Sequence, residues 1–463
     1  MTFGGMSIEG GSFRDPRGRV YSHDGRIFRT ITPKAQGDYR KLVESGLYSR
    51  LVDKHWLTAT VELAISDEQT GGLVVEHERL PFVSYPYEWT FSQLKAAALH
   101  QLDVHLEALN HGLTLSDASA YNVQFIDANP IFIDLLSFRR YEEGMLWVGH
   151  RQFCEHYLHP LLFTATFGIP FNHWLRSSME GLSGQDLVSL MPLHRRLSPR
   201  TFLNVTLPSW LQRSSSNNDA AIERASKARL RKATLEFMLR SLRDWVSSLN
   251  PKVGNTTWGD YYEVTHNYSD SESRAKHRIV SEFITRWKPT MVWDMGCNTG
   301  EFSETALSAG ATRVIGFDFD QMALEGAYRR AKERKLAFLP LFQDAANPSP
   351  DHGWNGVERK SLMSRRNADA LIALAFEHHL AIGRNIPLDH LIAWLVSLAP
   401  VGLVEFVPRG DSNLDRLLRH REDVFDDYTE DNFRSAIEAV AQVDRVDVVS
   451  ASGRKLYWYS RRA

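Results

Sequence analysis

Val292-Trp293-Asp294-Met295-Gly296-Cys297-Asn298-Thr299-Gly300-Glu301-Phe302 decides the fold of the carboxy-terminal part of this chain. An apolar run enters it, two glycines make the turn, and a helix-forming segment leaves it. In such a strand–turn–helix unit, backbone N–H groups at the helix start can hold an anionic group. The dinucleotide fingerprint G-x-G-x-x-G needs a middle glycine so that backbone can approach a pyrophosphate. Asn298 stands at that position, which argues against NAD or FAD.

Downstream, residues 313–318 read as the next strand, ending in Asp318 about 20 residues after the turn, where a carboxylate can accept bonds from ribose hydroxyls. A third strand, 337–342, runs into Gln343-Asp344-Ala345. The fourth, 368–375, leaves through Phe376-Glu377-His378-His379-Leu380, and the fifth, 402–407, carries Glu405, with Arg409 and Asp411 beyond it. Helices are expected over 388–398 and 433–441. A final hairpin, 446–449 with 456–459, should place an antiparallel strand at the sheet edge. Continuously apolar strands fit a sheet covered on both faces. Their alternation with helices predicts a doubly wound, mostly parallel α/β sheet.

A glycine turn alone serves many strand–helix junctions. Three strand-end acids in register with it make a more specific pattern, which resembles the Rossmann-like class I methyltransferases dependent on S-adenosylmethionine (SAM). The resemblance implies that Asp294, Gly296, Asn298 and Gly300 hold the methionine end, Asp318 the ribose, and Asp344 with Ala345 the adenine. Methyl transfer is an in-line displacement that rests on alignment, and a hydroxyl or similar acceptor also needs a base. Histidine titrates near neutrality. His378 or His379, with Glu377 beside them, therefore stands as the catalytic candidate at the carboxyl edge of the sheet, with packing against the next helix as the alternative. Tyr262, Tyr268 and Lys276 lie where related folds lid the cofactor, although packing on the sheet edge accounts for them equally well.

The 463 residues allow two to three domains, and 43% hydrophobic content suffices for real cores. A net charge of −2 leaves no overall footprint for nucleic acid. Two cysteines, Cys154 and Cys297, form neither a disulfide framework nor a zinc set, which suits a reducing cytoplasm. The glycine-rich amino terminus has no apolar core for a signal peptide. The most apolar window, 391–407, is divided by Pro400 and Gly402 and reads as helix then strand rather than a membrane span.

In the amino-terminal half, Asp24-Gly25 between two strand-like runs signals a hairpin. A helix over 35–55 follows, then strands over 59–65, 73–75 and 80–85, and a long amphipathic helix over 91–109 closed by His111-Gly112. Asp117, then Asn122, then Asp134 after a short hairpin resemble the catalytic region of kinase-like phosphotransferases, where the first acid is the base and the other two residues hold magnesium. The pattern departs from that family: no His-Arg precedes Asp117, Leu135-Leu136 follows Asp134, and Arg29 stands where a lysine should grip phosphate. The resemblance therefore implies a degenerate α+β kinase-like domain over 1–211. A linker with a basic amphipathic helix is expected over 212–257, and the methyltransferase domain over 258–463. His150, His156 and His159 match no standard metal spacing and read as part of an aromatic helical core.

Phe13-Arg14-Asp15-Pro16, Asp24-Gly25-Arg26, Glu377-His378-His379 and Val404-Glu405-Phe406-Val407-Pro408 together resemble the nodulation-protein NoeA type of methyltransferase over most of the chain. That implies a bacterial cytoplasmic enzyme acting on a saccharide or other small-molecule acceptor. Two rival readings are a bifunctional protein with an active amino-terminal phosphotransferase, and a module that only senses SAM.

Overall fold

A computed structural model describes residues 7–67, 71–209, 229–252, 270–419 and 422–462. The expectations for Tyr262, Tyr268, the 213–219 linker and the start of the basic helix lie outside the described residues. The chain divides into two compact units. The first comprises Met1–Ile126, Pro130–Gly254 and Asp351–Arg359, and the second Asp127–Asn129, Asn255–Pro350 and Lys360–Ala463.

The first unit opens with a five-stranded antiparallel sheet of β1 (Ser7–Ile8), β2 (Gly18–His23), β3 (Arg26–Ile31), β4 (Thr60–Ser66) and β5 (Leu73–His77), in the order β1-β2-β3-β5-β4. Asp24 and Gly25 take φ of 47° and 74°, the turn chemistry that the sequence announces between β2 and β3. The helix expected over 35–55 is two helices, Pro33–Glu44 and Leu47–Asp53, because Gly46 turns left-handed at φ 76° between them. Residues 80–85 are not a strand. Pro81 has no N–H to give, and the Ser84 and Tyr85 amides donate to the Gln124 and Glu88 side chains instead of to a ladder.

Thr90 caps the long helix Phe91–Asn110, accepting from Gln93 N at 3.2 Å. Beyond it, β6 (Leu113–Leu115) pairs with β9 (Phe138–Arg140), and β7 (Val123–Ile126) with β8 (Asn129–Phe132). His156 and His159 are buried in the helical remainder. Ala120 N donates to His156 Nδ1 at 3.3 Å, and His159 Nδ1 pairs with Leu182 O at 2.8 Å. The helix Lys232–Ser248, expected in the connecting segment, falls in the first unit. It buries Leu235, Leu239, Leu242, Trp245 and Val246, and its Arg243 bonds Asp103 at 2.6 Å.

The second unit is built on a seven-stranded sheet of β10 (Met291–Met295), β11 (Arg313–Asp318), β12 (Phe338–Phe342), β13 (Ala370–Ala373), β14 (Val401–Phe406), β15 (Gln442–Val448) and β16 (Lys455–Ser460). Their order is β12-β11-β10-β13-β14-β16-β15. The first five run parallel, and β16 lies antiparallel to both β14 and β15. The hairpin closes the sheet with β16 next to β14 and β15 at the edge. Their composition explains the order: the middle of β16, Leu456-Tyr457-Trp458-Tyr459, is fully buried, whereas β15 carries Asp444, Arg445 and Asp447 where an edge tolerates charge. The connections reverse direction between β10 and β13. That creates a topological switch point, and ligands of open α/β sheets bind outside the strand carboxyl ends there. No helix of the described residues is long and apolar enough to cross a membrane.

Candidate active site

β10 delivers Asp294 into a turn whose backbone needs left-handed geometry three times: Gly296 at φ 79°, Asn298 at φ 49° and Gly300 at φ 78°. The turn is tied to the end of β11. Gly296 N and Cys297 N donate to Phe317 O at 2.8 and 3.1 Å, and Asn298 N donates to Asp318 Oδ2 at 2.8 Å. A Cβ on Gly296 would stand 2.9 Å from Phe376 Cδ2, and one on Gly300 2.4 Å from Phe338 Cε1, so both positions are closed to side chains. Asn298 Oδ1 and Thr299 Oγ1 are buried with no hydrogen-bond partner among the described residues. Buried polar atoms are ordinarily satisfied, so these two are available to a ligand.

Asp294 and Asp318 lie at the carboxyl ends of the neighbouring strands β10 and β11, and Asp344 just beyond β12. Asp294 is 2% exposed and accepts from Ser303 Oγ at 2.6 Å. Burial pushes its carboxyl up to about 7; the Ser303 bond opposes the rise and the charge of Asp318 adds to it. Asp318 also accepts from Asp320 N at 2.9 Å, and burial lifts it to about 6 against its backbone N–H partners. The donors on Asp318 are backbone amides, of Asp320, Asn298 and Phe319, and no side chain of the described residues pairs with it. Asp344 is half-buried, and its Oδ1 accepts from Ala346 N at 3.0 Å, which folds Ala345 into a tight turn at the rim. Among the described residues no cation pairs with Asp294 or Asp318. A buried and a half-buried acid, neither compensated by a cation, beside unsatisfied polar oxygens form an acceptor set suited to a cationic, hydroxyl-bearing ligand, and SAM is one.

At the neighbouring edge, Glu377, His378 and His379 form the first turn of the helix Glu377–Ala381. Glu377 Oε1 accepts from Val407 N and Tyr428 Oη, both at 2.8 Å, so this carboxylate pins the exit of β14. Its Oε2 lies 3.6 Å from His378 Nδ1. His378 is fully buried, and neither ring nitrogen has a hydrogen-bond partner among the described residues. The His379 ring lies against it, tilted by 38°, with ring centroids 4.2 Å apart. Burial, with His378, Arg416 and Arg454 nearby, holds His379 down to about 3, so it is neutral at physiological pH and a weak base. The sequence brings Glu405, Asp411 and Lys276 into view without their partner Arg454. A lone arginine in a hairpin turn carries no local signal, and only folding sets it against Asp411.

Nodulation protein NoeA of Rhizobium meliloti (strain 1021) is 42% identical over 461 residues, covering 97% of this chain and 95% of its own. The chain belongs to the NoeA family. No family model matches it. Among solved structures, the N-methyltransferase NodS from Bradyrhizobium japonicum WM9, in complex with S-adenosyl-L-homocysteine, is 12% identical, covering 43% of this chain and 92% of its own at a TM-score of 0.32. The magnesium protoporphyrin IX methyltransferase ChlM from Synechocystis PCC 6803, with bound SAM, is 18% identical, covering 46% and 87% at a TM-score of 0.29. WbdD is 20% identical, covering 47% and 46% at a TM-score of 0.32. Strand order and register, rather than these distant likenesses, carry the fold.

The first unit of this NoeA-family chain holds a second group of acids. Arg29 on β3 donates to Asp134 Oδ1 at 2.6 Å and to Asp15 Oδ2 at 2.5 Å. Asp134 also accepts from Leu136 N at 3.1 Å and from Ser137 Oγ. Asp117 accepts from Ser119 N at 2.8 Å, and Asn122 Nδ2 donates to Ser137 Oγ at 3.3 Å.

Proposed function

We propose that this chain transfers a methyl group from SAM to a saccharide or other small-molecule acceptor in the bacterial cytoplasm. The observation that carries this reading is the Gly296–Gly300 turn at the switch point, tied to Asp318 and following Asp294, with Asp344 beyond the end of β12 two strands away. SAM supplies an activated methyl on a sulfonium. In this reading Asp294, Gly296, Asn298 and Gly300 hold its methionine end, Asp318 takes the ribose, and Asp344 with Ala345 borders the adenine. The protein's share of the rate is then alignment of the acceptor with the methyl. His378 serves as the base for an acceptor hydroxyl, Glu377 positions it, and His379 packs against it as a neutral ring.

Titration calorimetry tests the cofactor. Asp318→Ala removes a charge-assisted bond and should weaken SAM by roughly 1.5–3 kcal/mol. Equal affinity for variant and wild type overturns the assignment. For the base, single-turnover methylation by His378→Ala should fall ~10²–10⁴-fold while SAM affinity holds. Rates within a few-fold of wild type return the histidine to packing.

A second reading concerns the first unit: a kinase-like frame that does not turn over ATP. It is favoured by Asp134, whose carboxylate is occupied by Arg29, Ser137 and the Leu136 amide where an active phosphotransferase would hold magnesium. Magnesium-dependent ATP hydrolysis that disappears in Asp117→Ala would instead establish the bifunctional protein.

A further inference from the structure

Ala375, just beyond β13, holds φ at 49°, a left-handed conformation that an L-residue adopts only where its surroundings impose it. Its amide is held from β14. Glu405 Oε2 accepts from Ala375 N at 2.8 Å and, on the same oxygen, from Lys276 Nζ at 2.7 Å. Its other oxygen lies 3.4 Å from Arg454 Nη1, and Arg454 is clamped on Asp411 by two bonds of 2.7 Å. Two cations and two carboxylates thus lie together here, and Glu405 is fully buried. Burial alone would raise the Glu405 carboxyl, but Lys276 and Arg454 outweigh it and keep it ionised. An ion pair needs no backbone partner, so the Ala375 amide is the part of this arrangement that ion pairing does not explain. The residue after Ala375 is Phe376, whose ring occupies the space over Gly296 that a Cβ would fill.

We propose that Glu405 is a positioning residue for the cofactor turn: by holding the Ala375 N–H it fixes the left-handed exit of β13 that sets the Phe376 ring against Gly296. The proposal rests on the reading of that turn as the SAM site. Glu405 touches no part of the turn itself and acts through Ala375 and Phe376. Lys276, a cofactor candidate from its place in the sequence, then serves the same device by holding the carboxylate in charge.

The test is titration calorimetry with SAM on the full chain. Lys276→Met/Glu405→Leu removes the ion pair at similar volume, an exchange that buried pairs often tolerate, while Arg454 keeps Asp411. SAM affinity should fall about tenfold, the worth of one hydrogen bond to a charged group. Adding Ala375→Gly should restore most of the loss, because glycine reaches the left-handed region without help. That rescue separates positioning from a direct Lys276 contact and from general destabilisation, neither of which it would repair. Should the paired variant not fold, Phe376→Ala in the native background must weaken SAM several-fold. Wild-type binding of SAM with no loss in the variants, or a loss that Ala375→Gly leaves unrepaired, overturns this proposal alone. Absence of SAM binding by the wild type overturns the cofactor reading and this proposal with it.

Discussion

The two units each bury an aspartate at a strand end, and they treat it in opposite ways. Asp134 in the first unit is met by Arg29, Ser137 and a backbone amide. Burial would raise its carboxyl, but those partners outweigh burial and hold it below the usual range. Among the described residues, Asp294 and Asp318 in the second unit have hydroxyl and amide donors only, and burial wins, lifting them to about 7 and about 6. A buried acid whose cation is supplied by the fold is complete. A buried acid without one carries an electrostatic cost that a cationic ligand can offset. The contrast supports the proposed ligand-binding role of Asp294 and Asp318 and gives Asp134, though not Asp117, which pairs with no cation among the described residues, a structural one.

The largest effect should come from breaking the completed side. Arg29→Met leaves Asp134 and Asp15 facing each other without their shared cation, and breaking a buried pair typically costs about 3–5 kcal/mol. Denaturant titration should show that loss at pH 7, with SAM affinity unchanged. The sign with pH is fixed by the depressed carboxyl. The stabilisation is present above the unfolded-state value and is lost as pH falls through the folded one, so wild type and variant should converge in acid. A constant difference down to low pH would remove Asp134 from the account.

The next effect has the opposite sign. Asp294 has a folded-state value above its unfolded one, so the folded protein binds the extra proton and stability declines as pH rises from about 4 to about 7. Asp294→Asn keeps an oxygen for Ser303 and removes the charge. At pH 8 it should therefore stabilise the apo protein, by on the order of a few kcal/mol at most, while SAM binding weakens. Thermal unfolding at pH 5 and pH 8 checks it. A variant less stable than wild type at pH 8 would mean that Asp294 has a cationic partner after all.

What the sequence made legible follows from which forces are local. The turn at Gly296–Gly300 and the acids Asp294, Asp318 and Asp344 could be read because apolar runs, glycine conformation and strand-end position are all short-range properties. The split at Gly46 was within reach of the same reasoning, since a glycine inside a helical pattern lowers confidence in it. The 80–85 segment was not. Its apolar residues resemble a strand, and only the distant Gln124 side chain and the Glu88 cap show that its amides are used elsewhere. The order of β15 and β16 turns on which of two hairpin strands buries better, a contest settled by β14. The Lys276–Glu405–Arg454–Asp411 cluster joins a helix before the first strand to a hairpin after the last, and no window of sequence spans it.

The smallest effect sharpens the comparison at a single residue. Asn298 supplies two separable things: a backbone amide that holds Asp318, and a side-chain oxygen that is buried without a partner. Asn298→Gly keeps the first, since glycine reaches φ 49° without strain and still donates its N–H. It deletes the second, and losing an unsatisfied buried oxygen offsets the added flexibility of the unfolded chain. Stability should therefore move by less than about 1 kcal/mol in either direction. If the side chain is held for the ligand, SAM affinity should nevertheless drop several-fold, about the worth of one neutral hydrogen bond. Thermal unfolding and calorimetry on the same preparation separate the two. A stability loss without an affinity loss makes Asn298 a turn residue only, leaving Asp294 and Asp318 as the polar contacts that distinguish this turn from the cation-paired Asp134 of the first unit.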